Sequence, residues 1–246
     1  MVFIWLKSLN RFMRLIFLSL FSLNLFALDI DDLRISFEED GAFVTGKILT
    51  KLNNGLHFLE KERDFQNTLL IAIHGRGTEG YEWVYPLINL DKKNNRISFY
   101  RWNTIGCPNE AIRKISLEID RLKERYKKIV LVGHSYGGLV VSKILTDDFD
   151  SKVEGHFVAA PLKGNFLIRT FCGYTPPRKI NENNLGFNWM TIKELDGEFR
   201  NLKSDPQLLE IEGVVAKRLP EEYNGNRLGH NWSISWLTDH LNSKQN

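Results

Sequence analysis

The chain has 246 residues, of which 43% are hydrophobic and 26% charged, values typical of one globular domain with a sizeable core. The net charge is only +3, and the lysines and arginines are scattered along the chain. A basic run with interleaved aromatic residues is missing, which argues against a nucleic-acid-binding protein.

The first 27 residues are predicted to lie outside the folded domain. Lys7, Arg11 and Arg14 precede an apolar stretch at residues 15–28, and acidic residues follow it. This order is typical of a signal peptide, with cleavage after Ala27, and an uncleaved membrane anchor stays open as the alternative. Either reading predicts export of the domain at residues 28–246, to the periplasm or the medium, with membrane association left open.

The first half of the domain alternates strands and helices. Residues 33–50 alternate loosely and predict a β-hairpin at a sheet edge. The apolar run at residues 68–73 predicts a buried strand, and residues 81–90 a short helix. A strand at residues 96–102 and an amphipathic helix after Asn109 follow.

The next elements surround a glycine-rich turn. Residues 129–132 predict a buried strand, Gly133-His134-Ser135-Tyr136-Gly137 follows at once, and apolar residues then recur at helical spacing. Another strand is predicted at residues 153–160. Strands that alternate with helices predict an α/β fold with a mostly parallel sheet and helices on both faces, in which ligands bind at the carboxyl ends of the strands.

The G-x-S-x-G motif between a strand and a helix resembles that of the α/β-hydrolase superfamily, most closely the small lipase- or esterase-like serine hydrolases. The resemblance implies that Ser135 is the nucleophile. It also implies that the backbone N–H groups of Tyr136 and Arg76 form the oxyanion hole, because Arg76 follows His74-Gly75 at the end of a strand.

A serine nucleophile needs a base, and the sequence offers six histidines. His134 is the variable residue of the turn, and His74 is expected to be a structural partner beside the oxyanion hole. His230 lies in a loop just before the last helix. The family's catalytic histidine occupies that place, so the resemblance implies His230 as the base.

The acid that orients the histidine is not evident from the sequence. Residues 211–220 resemble the family segment that carries the aspartate, but Ala216 stands at that position. Glu212 or Glu221 is the preferred acid on this alignment. Asp196 and Asp205 are more distant options, and a serine–histidine dyad also stays open.

Residues 162–188 combine glycines, prolines and asparagines with large apolar residues, and predict a cap or lid over the site. A helix at residues 189–202, a strand at residues 207–215 and a last helix at residues 232–241 are predicted after it.

Two further sequence features bear on cofactors. Cys107 and Cys172 could pair in an oxidising compartment or stay free thiols, and neither has the spacing of a metal site, so no metal or cofactor is expected. Residues 75–80 match the dinucleotide-binding pattern G-x-G-x-x-G. The next strand ends in Tyr100-Arg101-Trp102 without the acidic residue that binds ribose, which disfavours that reading.

The sequence therefore predicts a serine hydrolase that cleaves carboxylic esters of small molecules or lipids and binds no nucleic acid. A thioesterase or acyltransferase would use the same residues. The alternative from another class is a protein of this fold that binds without turnover, which the alanine at position 216 suggests.

Overall fold

A computed structural model describes residues 28–244, in which a seven-stranded sheet is covered by helices. The helices in this range are α1 Ile30–Thr50, α2 Tyr81–Leu90, α3 Asn109–Leu122, α4 Tyr136–Ile144, α5 Phe166–Phe171 and α6 Trp232–Ser243. The strands are β1 Gly55–Phe58, β2 Thr68–Ile73, β3 Asn95–Arg101, β4 Lys128–His134, β5 Val153–Val158, β6 Leu185–Met190, β7 Val214–Arg218, β8 Glu222–Tyr223 and β9 Asn226–Arg227.

The sheet order is β1-β3-β2-β4-β5-β6-β7, and only β1 runs antiparallel to its neighbour. The predicted α/β architecture with a mostly parallel sheet is confirmed. Strand β4, which leads into Ser135, is the middle strand, and its carboxyl end lies between those of β2 and β5.

Both faces of the sheet are buried along its inner strands β2 to β5, as their apolar residues predict. Along β2, Leu69 and Ile71 pack with α3 and α4, whereas Leu70 and Ala72 pack with α1, α2 and α6 on the opposite face. This alternation is the period of two that a strand imposes on its side chains. Each fully buried aliphatic side chain stabilises the fold by about 1.5–3 kcal/mol.

The predicted hairpin at residues 33–50 is wrong, because α1 occupies this segment. Asp29 and Asp32 form a capping box at its start, and Leu33 and Leu49 are fully buried. Gly41, at φ 78°, kinks the helix and divides its apolar pattern into two short halves. A pattern so divided loses the helical period and resembles the alternation of a strand.

The predicted helix at residues 189–202 and strand at residues 207–215 are also wrong. Strand β6 ends at Met190, residues 191–213 form an irregular connection, and β7 begins at Val214. Gly186 and Asn188 give β6 a composition more typical of a loop. Its strand conformation comes from pairing with β5 and β7 on both sides, which is a tertiary effect.

The segment predicted as a cap contains α5, which Asn165 caps by accepting a hydrogen bond from the backbone N–H of Ile168. The connection from β5 to β6 ends at residue 184, so residues 185–188 belong to the sheet and not to the segment. Its function as a lid stays a prediction.

The signal peptide or anchor predicted at residues 1–27 lies outside the described residues. Between residues 28 and 244, every helix is too short or too polar to span a membrane.

Cys107 and Cys172 form a disulfide, with their Cα atoms 5.3 Å apart. The bond ties the loop after β3 to the end of α5. It closes a loop of 65 residues along the chain, and such a crosslink restricts the unfolded ensemble more as the loop lengthens.

Replacing both cysteines by alanine is expected to lower the free energy of unfolding by about 2–4 kcal/mol, because the unfolded chain regains that freedom. Urea unfolding of the wild type and the double variant measures the loss. Reductant should lower the midpoint of the wild type only, and equal midpoints without reductant would contradict the prediction.

Candidate active site

Ser135 lies on a strained turn at the carboxyl end of β4. Its φ of 52° and ψ of −119° are unusual for a residue with a side chain. A Cβ at Gly137 would lie 2.2 Å from the carbonyl oxygen of Ile73, and one at Gly133 would lie 2.4 Å from that of Gly137. Both flanking glycines are therefore required by the close approach of β2 and α4.

The loop after β2 passes directly beside Ser135. A Cβ built on Gly75 would lie 2.8 Å from the Cβ of Ser135 and 3.4 Å from its Oγ. Within residues 28–244, neither the backbone N–H of Arg76 nor that of Tyr136 donates to a protein acceptor. Arg76 and Tyr136 line the same cavity as Ser135, as expected for an oxyanion hole.

His74 braces this loop as a neutral side chain. Its Nε2 accepts hydrogen bonds from the backbone N–H of Trp102 (3.1 Å) and from Nη1 of Arg101 (2.8 Å), so the proton is on Nδ1, which donates to the carbonyl of Gly75. Burial lowers the pKa of His74 to about 4, and the nearby charge of Arg101 acts in the same direction. The structure thus gives His74 the structural position expected from the sequence.

Thr78 and Glu82 hold the far end of the same loop. The hydroxyl of Thr78 accepts from the N–H of Gly80 (3.1 Å) and donates to Oε1 of Glu82. Burial raises the pKa of the Glu82 carboxyl, and its Oε2 has no hydrogen-bond partner in the described part of the chain. This side chain therefore anchors the loop to the first turn of α2.

His230 lines the cavity that contains Ser135. Its ring centroid lies 4.7 Å from that of His134 and 5.1 Å from that of Phe199, which meets it edge-on. The Nε2–H of His134 donates to the carbonyl of His230 at 3.1 Å. Burial lowers the pKa of His134 well below its usual value, so the residue next to Ser135 holds His230 without adding a charge.

A carboxylate meets the other side of the His230 ring. The Nδ1–H of His230 donates to Oδ2 of Asp196 at 2.9 Å, and Asp196 is fully buried in the connection between β6 and β7. Burial by itself would raise the pKa of Asp196. Hydrogen bonds from His230, Thr191 and the backbone N–H of Glu198 outweigh it and lower the pKa, so the carboxylate stays charged.

The prediction of Glu212 or Glu221 as the acid is wrong. Glu212 precedes β7, so it lies at the edge of the sheet opposite the carboxyl ends, where it pairs with Lys179 at 3.0 Å and its side chain is 71% exposed. Glu221 is exposed as well, and Ala216 lies in the middle of β7. Asp196, which the sequence offered as a more distant option for the acid, follows β6. The sequence would have favoured Asp196 only if residues 185–190 had been recognised as a strand.

The cavity above Ser135 has a volume of about 840 Å³. Its lining includes four cationic side chains, three carboxyl groups and several apolar residues. The charged residues are Arg76, Lys163, Arg169, Lys203, Glu79, Glu82 and Glu198, and the apolar ones include Ile168, Phe199 and Leu202. Among residues 28–244, no group of three or more histidine, cysteine or acidic side chains is placed to hold a metal ion.

Comparisons with solved structures find the same architecture. Est1E from Butyrivibrio proteoclasticus with ferulic acid bound aligns with 78% of this chain and 93% of its own, at 12% identity and a TM-score of 0.53. An alpha-beta serine hydrolase homologue from Coxiella burnetii aligns with 78% of this chain and 91% of its own, at 11% identity and a TM-score of 0.50. The chain has the α/β-hydrolase fold. No protein-family model and no curated protein sequence matches it.

Within the α/β-hydrolase fold, three predicted site features come together around one cavity: Ser135, His230 and the loop that contains Arg76. They come from three different connections at the carboxyl ends of the strands, where ligands bind in open α/β sheets. The histidine is joined by an acid from a fourth connection, after β6.

The buried neutral His74 is expected to make stability depend on pH. The unfolded chain binds a proton at this residue below about pH 6.5, whereas the folded chain binds it only below about pH 4. The unfolded state therefore holds more protons between these values, and stability falls as the pH falls through this window. The slope reaches about 1.4 kcal/mol per pH unit for one group.

Between pH 7 and pH 5 the free energy of unfolding is expected to decrease in the wild type by about 1–2 kcal/mol more than in His74→Gln. The reason is that glutamine does not titrate. Its side-chain oxygen can still accept from Trp102. Urea unfolding at both pH values measures the difference. Parallel pH dependences of the two proteins would show that folding does not lower the pKa of His74.

Proposed function

We propose that this protein is a serine hydrolase that cleaves carboxylic esters through an acyl-enzyme on Ser135. The observation that carries the proposal is the hydrogen bond from Nδ1 of His230 to the buried carboxylate of Asp196, in the cavity that also exposes Ser135. A carboxylate on Nδ1 fixes the tautomer in which Nε2 is free to accept a proton.

In this mechanism Nε2 of His230 takes the proton from Oγ of Ser135 while Oγ attacks the acyl carbon. The backbone N–H groups of Arg76 and Tyr136 stabilise the oxyanion of the tetrahedral intermediate. His230 then protonates the leaving alcohol. Water attacks the acyl-enzyme with His230 as the base again, which releases the acid and restores the serine.

The cavity suits a small-molecule or lipid ester. Its volume lies in the range of small-molecule sites, and the apolar side chains of Ile168, Phe199 and Leu202 form part of its lining. A thioesterase or acyltransferase would need the same groups. The reaction class therefore rests on Ser135, His230 and Asp196, and the acyl group is left to experiment.

The rival of another class, a protein that binds without turnover, loses its main support. It was motivated by the alanine at position 216, which suggested a missing acid. Asp196 supplies a charged and fully hydrogen-bonded carboxylate on His230 instead.

Export is part of the proposal. The disulfide between Cys107 and Cys172 supports it, because such bonds persist in oxidising compartments such as the periplasm or the medium. Membrane association would depend on the predicted leader at residues 1–27.

A fluorophosphonate probe is expected to label the wild-type protein, and Ser135→Ala should abolish labelling because the attacking oxygen is gone. Mass spectrometry of the labelled peptide identifies the site. The variant Ser142→Ala removes another hydroxyl of the same region, one that is buried in α4, and should label normally. A wild-type protein that resists the probe would favour the binding protein.

Asp196→Asn is expected to lower kcat on p-nitrophenyl esters by about four orders of magnitude, because asparagine no longer fixes the correct tautomer of His230. The matched control is Glu212→Gln, at the acid predicted from the sequence, which should keep wild-type activity. Steady-state kinetics on esters of graded chain length tests both variants and also gives the acyl preference. A large loss in Glu212→Gln with an active Asp196→Asn would reverse the assignment.

A further inference from the structure

The acid of the proposed triad lies in an irregular connection, so sheet hydrogen bonds do not hold it in place. Its carboxylate is held instead by three donors. Oδ2 accepts from His230 and from Oγ1 of Thr191 at 2.5 Å, and Oδ1 accepts from the backbone N–H of Glu198 at 2.8 Å. Thr191, which is fully buried, therefore shares one carboxylate oxygen with His230.

The hydroxyl of Thr191 has two acceptors within reach but one proton. Oε1 of Gln207 lies 3.1 Å away, and it already accepts from the backbone N–H of Thr191 at 2.9 Å. The carboxylate of Asp196 is nearer and charged. The proton is therefore directed to Asp196, where a charge-assisted hydrogen bond is the stronger one.

Thr191 is in turn held by the polar side chains of Gln207 and Arg218. The carboxamide of Gln207 accepts from the backbone N–H of Thr191 through Oε1 and donates from Nε2 to its carbonyl at 3.0 Å. Nη1 of Arg218 donates to the same carbonyl at 2.5 Å. Both backbone groups of Thr191 are thus fixed, and its hydroxyl has a defined direction.

An ion pair between Arg218 and Asp205 connects the two side chains that hold Thr191. Asp205 accepts from Gln207 through Oδ1 and from Arg218 through Oδ2, the latter at 2.9 Å. Gln207 is fully buried and Asp205 nearly so, whereas Arg218 lies on β7 with a partly exposed side chain. One hydrogen-bonded network therefore connects the edge strand to the carboxylate on His230.

We propose that Thr191 is a positioning residue of this site, and that Gln207, Asp205 and Arg218 hold it. Its hydroxyl fixes the orientation of the Asp196 carboxylate, which in turn fixes the ring and the tautomer of His230. Thr191 touches no substrate and acts through Asp196. The proposal rests on the function assigned above to Asp196 and His230.

The first test compares Thr191→Val, which removes the hydroxyl at similar shape, with Thr191→Ser, which retains it. Thr191→Val is expected to lower kcat on a p-nitrophenyl ester about ten- to hundred-fold with KM unchanged, as expected for the loss of a hydrogen bond to a charged group. Thr191→Ser should stay within about three-fold of the wild type. Thr238→Val is the matched control, since Thr238 is buried but bonds to the carbonyl of Ile234 inside α6.

A second readout does not depend on turnover. In protein labelled with ¹⁵N, the ring shifts of His230 report its tautomer, which should carry the proton on Nδ1 in the wild type and in Thr191→Ser. Thr191→Val should show a mixture of tautomers. A wild-type protein that shows this pattern but does not hydrolyse esters would overturn the proposed function and support the positioning of His230. Equal tautomers and equal kcat in Thr191→Val and Thr191→Ser would overturn the inference.

Arg218→Met tests the outer part of the network and decides the question if Thr191→Val does not fold. It should lower kcat several-fold by releasing the carbonyl of Thr191. In a double-mutant cycle its effect should disappear when Thr191 is already valine, because the two act through one contact. An unchanged kcat in Arg218→Met, or strictly additive effects of the two substitutions, would contradict the proposal that Arg218 holds Thr191.

Discussion

The site depends on the strained backbone turn at Ser135, between β4 and α4, which the surrounding packing holds in place. Ser135 is held at a positive φ, which costs about 1–3 kcal/mol, because the chain beside it is pressed against neighbouring strands. Gly137 lies against the carbonyls at the end of β2, and Gly75 lies against the side chain of Ser135 itself. The packing of β2, β4 and α4 offsets this strain. As a result Ser135 lines the cavity together with Arg76 and Tyr136, whose backbone N–H groups have no protein acceptor within residues 28–244.

Two different kinds of interaction position the groups of the proposed site. Ser135 is positioned by regular secondary structure, whose hydrogen bonds and packing fix the turn. Asp196 and His230 lie in irregular connections and are positioned by side chains. A buried carboxylate without partners would be strongly destabilising, and the three donors around Asp196 compensate for its lost hydration. The same donors that allow the charge to be buried also fix its direction.

The cavity is lined by the polar groups of the proposed site and by both apolar and charged side chains. The disulfide links the loop after β3 to the end of α5, the helix that contributes Ile168 and Arg169 to the lining. Ile105, Phe166 and Phe171, in the two segments that the disulfide joins, are largely exposed. Cationic side chains such as Arg76 and Arg169 line the opening as well. The cavity therefore offers both apolar and cationic surface to a ligand.

The sequence by itself determined the parts of the site whose geometry is local. The glycines around Ser135 and the flanking apolar runs specify strand, turn and helix within about fifteen residues. The place of His230, in a loop before the last helix, indicated it as the base only through the family resemblance. Only the tertiary structure decided α1, the strand β6 and the acid. The kink at Gly41 hid the helical period of α1, and β6 is a strand because it pairs with β5 and β7. Asp196 is hydrogen-bonded to Thr191 and to His230, which is 34 residues away, and no local pattern encodes the contact with the histidine.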